Sequence, residues 1–272
     1  MLLQKYSGAG NKFIIIDNLN GTIEHNRDVI RRMSEENPDI DGVIFVEGSD
    51  IADFRMNYFN KDGTGDALCG NGLRCTFRFI ADNGLSAKGK LSIEAVSQIY
   101  ECTKLVDERI SVSFPPPKII RTGIKLKTHF GNWSEELNCS YVDCGSPHIV
   151  IFIEDIRNPK ICDLSEVKIN EWGYDIRMHK DLMPEGANVN FVKVVNKEAG
   201  EIHIRSYERG VEGETLACGT GAISAATIFS MISDQNNPVR VMTQSGEYLI
   251  VEFKEVDDKT TGVILTGSAV RI

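Results

Sequence analysis

Cys69 and Cys218 are the residues whose type and surroundings speak most directly of chemistry. Each sits in a Cys-Gly-X-Gly turn: Ala67-Leu68-Cys69-Gly70-Asn71-Gly72-Leu73-Arg74 and Leu216-Ala217-Cys218-Gly219-Thr220-Gly221-Ala222-Ile223. A helix-like stretch follows both. A thiol at the mouth of a helix forms a thiolate readily, because unpaired N–H groups and the helix dipole favour negative charge there. One such site points to a nucleophile. Two in related segments point to a pair of acid/base groups serving one substrate. The matching task is removal of a weakly acidic proton, such as an amino acid α-proton, on one face and its return on the other. A thiol suits it, since a reference pKa of roughly 8.5 can be brought toward neutrality by a helix N-terminus. Gly70, Gly72, Gly219 and Gly221 let the backbone approach closely, so that N–H groups can hold a carboxylate and stabilise a developing carbanion. Two other chemistries stay open at this level. One is a redox pair of Cys69 with Cys218; the other is a Cys–His nucleophile using His148 or His203, which would employ only one of the two turns.

The elements that must position these turns also come in pairs. Asp53–Asn60 alternates apolar and polar residues as a half-buried strand does, and Glu201–Glu208 repeats the alternation. Glycine-rich acidic loops then lead to each cysteine. After Cys69, the apolar residues Leu73, Phe77 and Ile80 recur at helical spacing, and Asn83-Gly84 supplies a stop. Ala222–Met231 is small and apolar nearly all round, which predicts a buried helix. Strands are expected at 91–96, 99–105 and 110–114 in one half and at 239–243, 247–255 and 262–265 in the other. Gly10–Asp17 and Gly145–Phe152 match as glycine turns entering β-branched strands. The expected fold is therefore α+β, in two duplicated halves joined at the stiff Pro115-Pro116-Pro117. The expected N-terminal lobe is 1–115 and the expected C-terminal lobe 118–265.

Composition narrows the function classes. The 272 residues are 42% apolar and 25% charged, enough for a sizeable core. A net charge of −9 without a basic stripe argues against nucleic acid and anionic membranes as partners. The apolar runs are strand length, far below a membrane span. No secretory pattern opens the chain, and seven scattered cysteines form no disulfide framework, so a reduced, cytoplasmic protein is expected. No cysteine spacing is that of a metal site, so no metal is expected. Cys75, Cys102, Cys139 and Cys162 read as small buried apolar residues. Gly8-Ala9-Gly10-Asn11 lacks the third glycine and the following helix of a dinucleotide turn.

These residues together resemble diaminopimelate epimerase, a family of amino acid epimerases that work without pyridoxal phosphate. The resemblance covers nearly the whole chain. It rests on Asp66–Cys75, Tyr207-Glu208-Arg209-Gly210, Glu214–Gly221 and Pro184–Phe191, with support from Gly10-Asn11, Phe59-Asn60 and Pro147-His148. It implies two pseudo-symmetric lobes, each an antiparallel strand barrel or sandwich around a central helix, with the site in the cleft between them. The strand at 266–272 would return to the first lobe. It implies interconversion of LL- and meso-2,6-diaminopimelate for lysine and peptidoglycan precursor synthesis, with no cofactor and a small-molecule amino acid substrate. Cys69 and Cys218 would be the acid/base pair, assisted by His148 and Glu208. Asn11, Asn60, Gly70, Asn71, Ser146, Asn188, Glu208, Arg209, Gly219 and Thr220 would bind substrate. A homodimer is the assembly the resemblance allows. Family members usually carry Asn at Ser146, Asp at Lys12 and often a polar side chain near Gly42, and Glu212 is an extra residue relative to many. These departures fall where the distal amino acid end would be read. A broader amino acid racemase, or a non-epimerase isomerase or binding relative of the fold, is the alternative reading.

Overall fold

A computed structural model describes residues 3–65, 68–130, 133–233, 238–257 and 259–272; Asp66 and Ala67 of the first cysteine motif lie outside them. The chain divides into two compact units, residues 1–114 with 264–272 and residues 115–263.

The first unit runs β1 (Leu3–Gly8), β2 (Asn11–Asp17), α1 (Arg27–Glu36), β3 (Gly42–Glu47), β4 (Phe54–Asn60), α2 (Gly70–Asp82), β5 (Lys90–Ala95), β6 (Gln98–Lys104) and β7 (Ile110–Phe114). The second runs β8 (Ile119–Phe130), β9 (Trp133–Asp143), β10 (Pro147–Phe152), α3 (Ile169–Arg177), β11 (Asn188–Asn196), β12 (Glu201–Glu208), β13 (Gly213–Thr215), α4 (Gly219–Ser233), β14 (Val239–Met242), β15 (Tyr248–Val256) and β16 (Lys259–Gly267). After β16 comes β17 (Val270–Arg271), which pairs antiparallel with β1, Tyr6 opposite Arg271.

Pairing within each unit follows one plan. β2 lies parallel to β3, β3 antiparallel to β4, β4 parallel to β5, and β5 antiparallel to β6. In the second unit β10 lies parallel to β11, β11 antiparallel to β12, β12 parallel to β14, and β14 antiparallel to β15. The duplication read from the cysteine segments thus extends to strand order and direction. The sheets are mixed, with an antiparallel majority. The parallel pairs arise where a helix carries the chain back across the sheet, because parallel strands need a crossover: α1 between β2 and β3, α2 between β4 and β5, α3 between β10 and β11, α4 between β12 and β14.

Helices α2 and α4 are wrapped by their own unit's strands. From Gly70 to Ile80 all but Arg78 are buried, and α4 is buried from Gly219 to Phe229. The last turn of α4 then emerges, leaving Met231 56% exposed, so the helix is not buried through to Met231 as its composition predicts. Smaller clusters seat the outer helices. Ile30 of α1 packs with Ile14, Ile16, Val43 and Phe45; Trp172 and Ile176 of α3 pack with Ile149, Val189, Phe191 and Tyr207. Cys75, Cys102 and Cys139 are buried, but Cys162 is exposed. Its neighbour Ile161 takes the core position, while the backbone N–H groups of Cys162 and Asp163 turn to the Glu166 carboxylate.

Candidate functional site

Each unit presents one cysteine at the start of its enclosed helix. Cys69 is the N-cap of α2, with extended backbone (φ −125°, ψ 103°). Its carbonyl accepts the first helical bond from Leu73 N (3.0 Å), and its Sγ accepts the N–H of Gly72 at 3.3 Å. Cys218 repeats both contacts on α4: Ala222 N donates to its carbonyl (2.9 Å) and Gly221 N to its Sγ (3.3 Å). Sulfur here takes the N-cap role usually filled by a Ser, Thr, Asp or Asn oxygen. The amides of Gly70 and Asn71, and of Gly219 and Thr220, precede the helical ladder at the positive end of the helix dipole.

In the first unit the structure brings Asn11 and Asn71 together. Asn71, buried on α2, donates to Asn11 Oδ1 and accepts from Arg74 Nη2 (2.7 Å). Arg74 is fully buried, and its Nε donates to the Ser268 carbonyl (3.2 Å). Asn60 closes β4 opposite Gly42, accepts from the Tyr58 hydroxyl (2.9 Å) and donates to Thr64 Oγ1 (3.1 Å). A Cβ at Gly42 would lie 2.5 Å from the Tyr58 ring and 2.4 Å from the Phe59 carbonyl. The Tyr58 ring and the Phe59 carbonyl thus fill the space that a side chain at Gly42 would need.

In the second unit Cys218 is 4% exposed and surrounded by named partners. Burial pushes its thiol well above the ordinary range, and the Glu208 carboxylate adds to this; bonds from Thr220 and the Gly221 N–H oppose it. His148, the second residue of β10, is fully buried. Its Nε2 lies 2.9 Å from both Ser146 Oγ and Thr220 Oγ1, and its Nδ1 3.0 Å from Asn190 Nδ2. Burial first, then the Arg209 charge, pushes its pKa down to about 3, so the ring is neutral at physiological pH. Thr220 Oγ1 in turn lies 3.6 Å from Cys218 Sγ. Glu208 ends β12 and accepts from the Thr215 hydroxyl. Asn188 Oδ1 accepts the Arg209 backbone N–H (2.8 Å), and Arg209, an exposed side chain, donates from Nη1 to the Glu185 carbonyl (2.9 Å).

Glu212, expected from the resemblance to be an extra residue, holds several bonds. It adopts positive φ (53°), its N–H reaches the Glu208 carbonyl (2.8 Å), and its carboxylate takes bonds from Gly210 N, Tyr207 Oη and Arg177 Nε. It ties down the loop that carries Arg209. His203, weighed as a nucleophile's partner, stands on β12 beside Glu201, its Nε2 3.7 Å from Glu201 Oε1. Residues that sequence reasoning missed are Asn190 and Ser206, which back His148. The sequence held only half of the signal, the i, i+2 spacing that puts Asn188 and Asn190 on one face of a strand; the register of Asn188 with His148 comes from the fold. Among the described residues, no three His, Cys, Asp or Glu side chains are placed to hold a metal ion, and no helix is long and apolar enough to cross a membrane.

Comparison with known proteins settles the family. The diaminopimelate epimerase family profile matches residues 3–118 and 140–272. The chain belongs to that family. It is 39% identical to the diaminopimelate epimerase of Chlorobaculum tepidum over 97% of this chain and 96% of that one. With the diaminopimelate epimerase of Aquifex aeolicus the identity is 34%, over 98% and 94% of the two chains. Solved structures share the fold at low identity. A phenazine biosynthesis protein of the PhzF family from Bacillus anthracis matches with TM-score 0.74 and 17% identity, over 99% of this chain and 96% of that one. A probable proline racemase from Agrobacterium radiobacter K84 matches with TM-score 0.70 and 14% identity, over 99% and 90%.

Proposed function

We propose that this family member interconverts LL- and meso-2,6-diaminopimelate by two-base proton transfer at the α-carbon, with Cys69 and Cys218 as the acid/base groups. The observation that carries the reading is the repeated N-cap geometry: in each unit a cysteine sulfur accepts the third-residue N–H of the helix it opens, at 3.3 Å in both. Inversion at a carbon needs a base to remove one proton and an acid to deliver another. One thiolate and one thiol supply both, and they exchange roles when the reaction runs backward. Helix N-terminal amides lower the cost of the sulfur anion and of negative charge developing on the substrate. His148 and Glu208 assist at Cys218, the first through Thr220 and the second through its charge. The amides and side chains of Asn11, Asn60, Gly70, Asn71, Ser146, Asn188, Arg209, Gly219 and Thr220 bind substrate, Arg209 as the carboxylate grip. The odd cysteine count supports a reduced, cytoplasmic setting, and the reaction supports a place in lysine and peptidoglycan precursor synthesis.

The test is incubation with LL-diaminopimelate in D2O. Deuterium entering the α-position with meso product is expected; absence of both refutes the function. A screen with Glu, Asp, Lys and His reads how selective the site is. Turnover of those amino acids at rates comparable to diaminopimelate would replace this reading by a broad racemase.

A further inference from the structure

This inference deepens the proposed function and rests on the reading of Cys218 as an acid/base group. Asn190, on β11, is fully buried. Its Oδ1 accepts from Ser206 Oγ (2.8 Å), and its Nδ2 lies 3.2 Å from the Ile149 carbonyl oxygen and 3.0 Å from His148 Nδ1. A carbonyl oxygen only accepts, so Ile149 fixes which end of the Asn190 amide bears the hydrogens. His148 Nδ1 therefore faces a donor and must be the bare nitrogen; the ring proton sits on Nε2. The opposite tautomer would set two N–H groups head-on at 3.0 Å inside a buried site. The chosen one meets only a longer approach of Asn188 Nδ2 (3.4 Å), and its Nε2–H finds two hydroxyl oxygens at 2.9 Å.

The tautomer decides where a second proton points. Thr220 has one hydroxyl hydrogen, and its Oγ1 lies 2.9 Å from His148 Nε2 and 3.6 Å from Cys218 Sγ. When Nε2–H donates to Thr220, the hydroxyl hydrogen is released toward sulfur. With the Ser146 hydroxyl donating to Thr220 Oγ1 (3.2 Å), a bare Nε2 would claim the Thr220 hydrogen, and the sulfur would lose a donor. We propose that Asn190 is a positioning residue: by holding His148 as the Nε2–H tautomer it turns the Thr220 hydroxyl toward Cys218 and favours the thiolate there. Every bond in this chain runs one way, from the Asn190 amide through His148 and Thr220 to sulfur.

Long-range ¹⁵N–¹H correlation spectra of histidine-labelled protein read the tautomer directly, with His148 assigned by its loss in His148→Gln. A bare Nδ1 and protonated Nε2 are expected in the wild type; the reverse pattern overturns the proposal without need of any variant. In Asn190→Asp a carboxylate replaces the donating amide, so the pattern should reverse. Then kcat should fall about 10²-fold or more with KM changed by less than about threefold, since a proton-transfer step and not binding is affected. A folded Asn190→Asp protein with the reversed tautomer and undiminished kcat also overturns it. A wild type with the Nε2–H pattern but no turnover of diaminopimelate refutes the function while supporting the tautomer assignment, so the two failures are told apart.

Discussion

Gly72 and Gly221 occupy the same place in the two cysteine turns, yet alanine should be received differently at each. A Cβ at Gly221 would stand 2.4 Å from Asn190 Oδ1 and 3.1–3.2 Å from Cys218 Cβ and Sγ. The Asn190 amide is held by Ser206, Ile149 and His148 and cannot swing aside. Restoring ordinary contact, about 3.5 Å, means a shift of about 1 Å and loss of one or two buried bonds at about 1 kcal/mol each. Replacing helical glycine by alanine returns up to about 1 kcal/mol. The net for Gly221→Ala is a destabilisation of up to about 2 kcal/mol, a midpoint lower by up to about 4–8 °C, with a marked loss of kcat. At Gly72 the new Cβ meets only the terminal methyl of Ile44 (3.1 Å) and Cys69 itself (3.3–3.4 Å). The isoleucine end can give by a few tenths of an ångström, so Gly72→Ala is neutral to about 1 kcal/mol stabilising by the same helix preference. Urea and thermal midpoints of both variants, followed by circular dichroism, give the comparison. A Gly221→Ala protein as stable as Gly72→Ala would refute the claim that Asn190 is braced.

Cys69→Ala and Cys218→Ala should each abolish deuterium incorporation from D2O nearly completely, whereas Cys102→Ala, buried on β6, should keep it; an active Cys69→Ala enzyme refutes the two-base assignment. Glu208→Gln removes the charge that helps raise the Cys218 thiol, so alkylation of Cys218, followed by mass spectrometry against pH, should shift to lower pH even as turnover falls. His148 binds no proton in the folded state above about pH 3 but binds one near pH 6.5 once unfolded. Between those values unfolding therefore takes up a proton and stability falls with decreasing pH, at up to about 1.4 kcal/mol per pH unit from this group. Urea midpoints between pH 6.5 and 4 should fall less steeply for His148→Gln than for wild type; parallel curves would refute the buried neutral imidazole.

The two cysteine turns and the helices they open were legible because glycine spacing and apolar periodicity are local signals. Asn26, which caps α1 by accepting from Asp28 N (2.9 Å), and the stripe Ile30 and Met33 were also in the chain, but a short helix dominated by charge offers little periodic contrast. The parallel pairings were not legible, since strand direction depends on where a crossover helix packs. Nothing in the residues flanking His148 or Asn188 shows that Asn190 backs the imidazole. Its role needs β10 and β11 in register and α4 packed on their face, information that no window of sequence holds. Tyr58 escaped notice for a like reason: what fills the space at Gly42 comes from the neighbouring strand.

The return of residues 264–272 to the first unit has a consequence for how the protein is made. Arg74, wholly buried, finds an acceptor for Nε in the Ser268 carbonyl, and β1 finds its neighbour in 270–272, with Tyr6 and Ser7 opposite Arg271 and Val270 and the Ile272 N–H on the Lys5 carbonyl. A ribosome releases residues 1–114 well before those partners exist. The second unit is contiguous from 115 to 263, whereas the first has its leading 114 residues made early and waits for 264–272 with a guanidinium short of an acceptor and a strand edge short of a neighbour. Contacts spanning nearly the whole chain are slow to form. The half whose synthesis begins first thus cannot finish folding until residues 264–272 have followed.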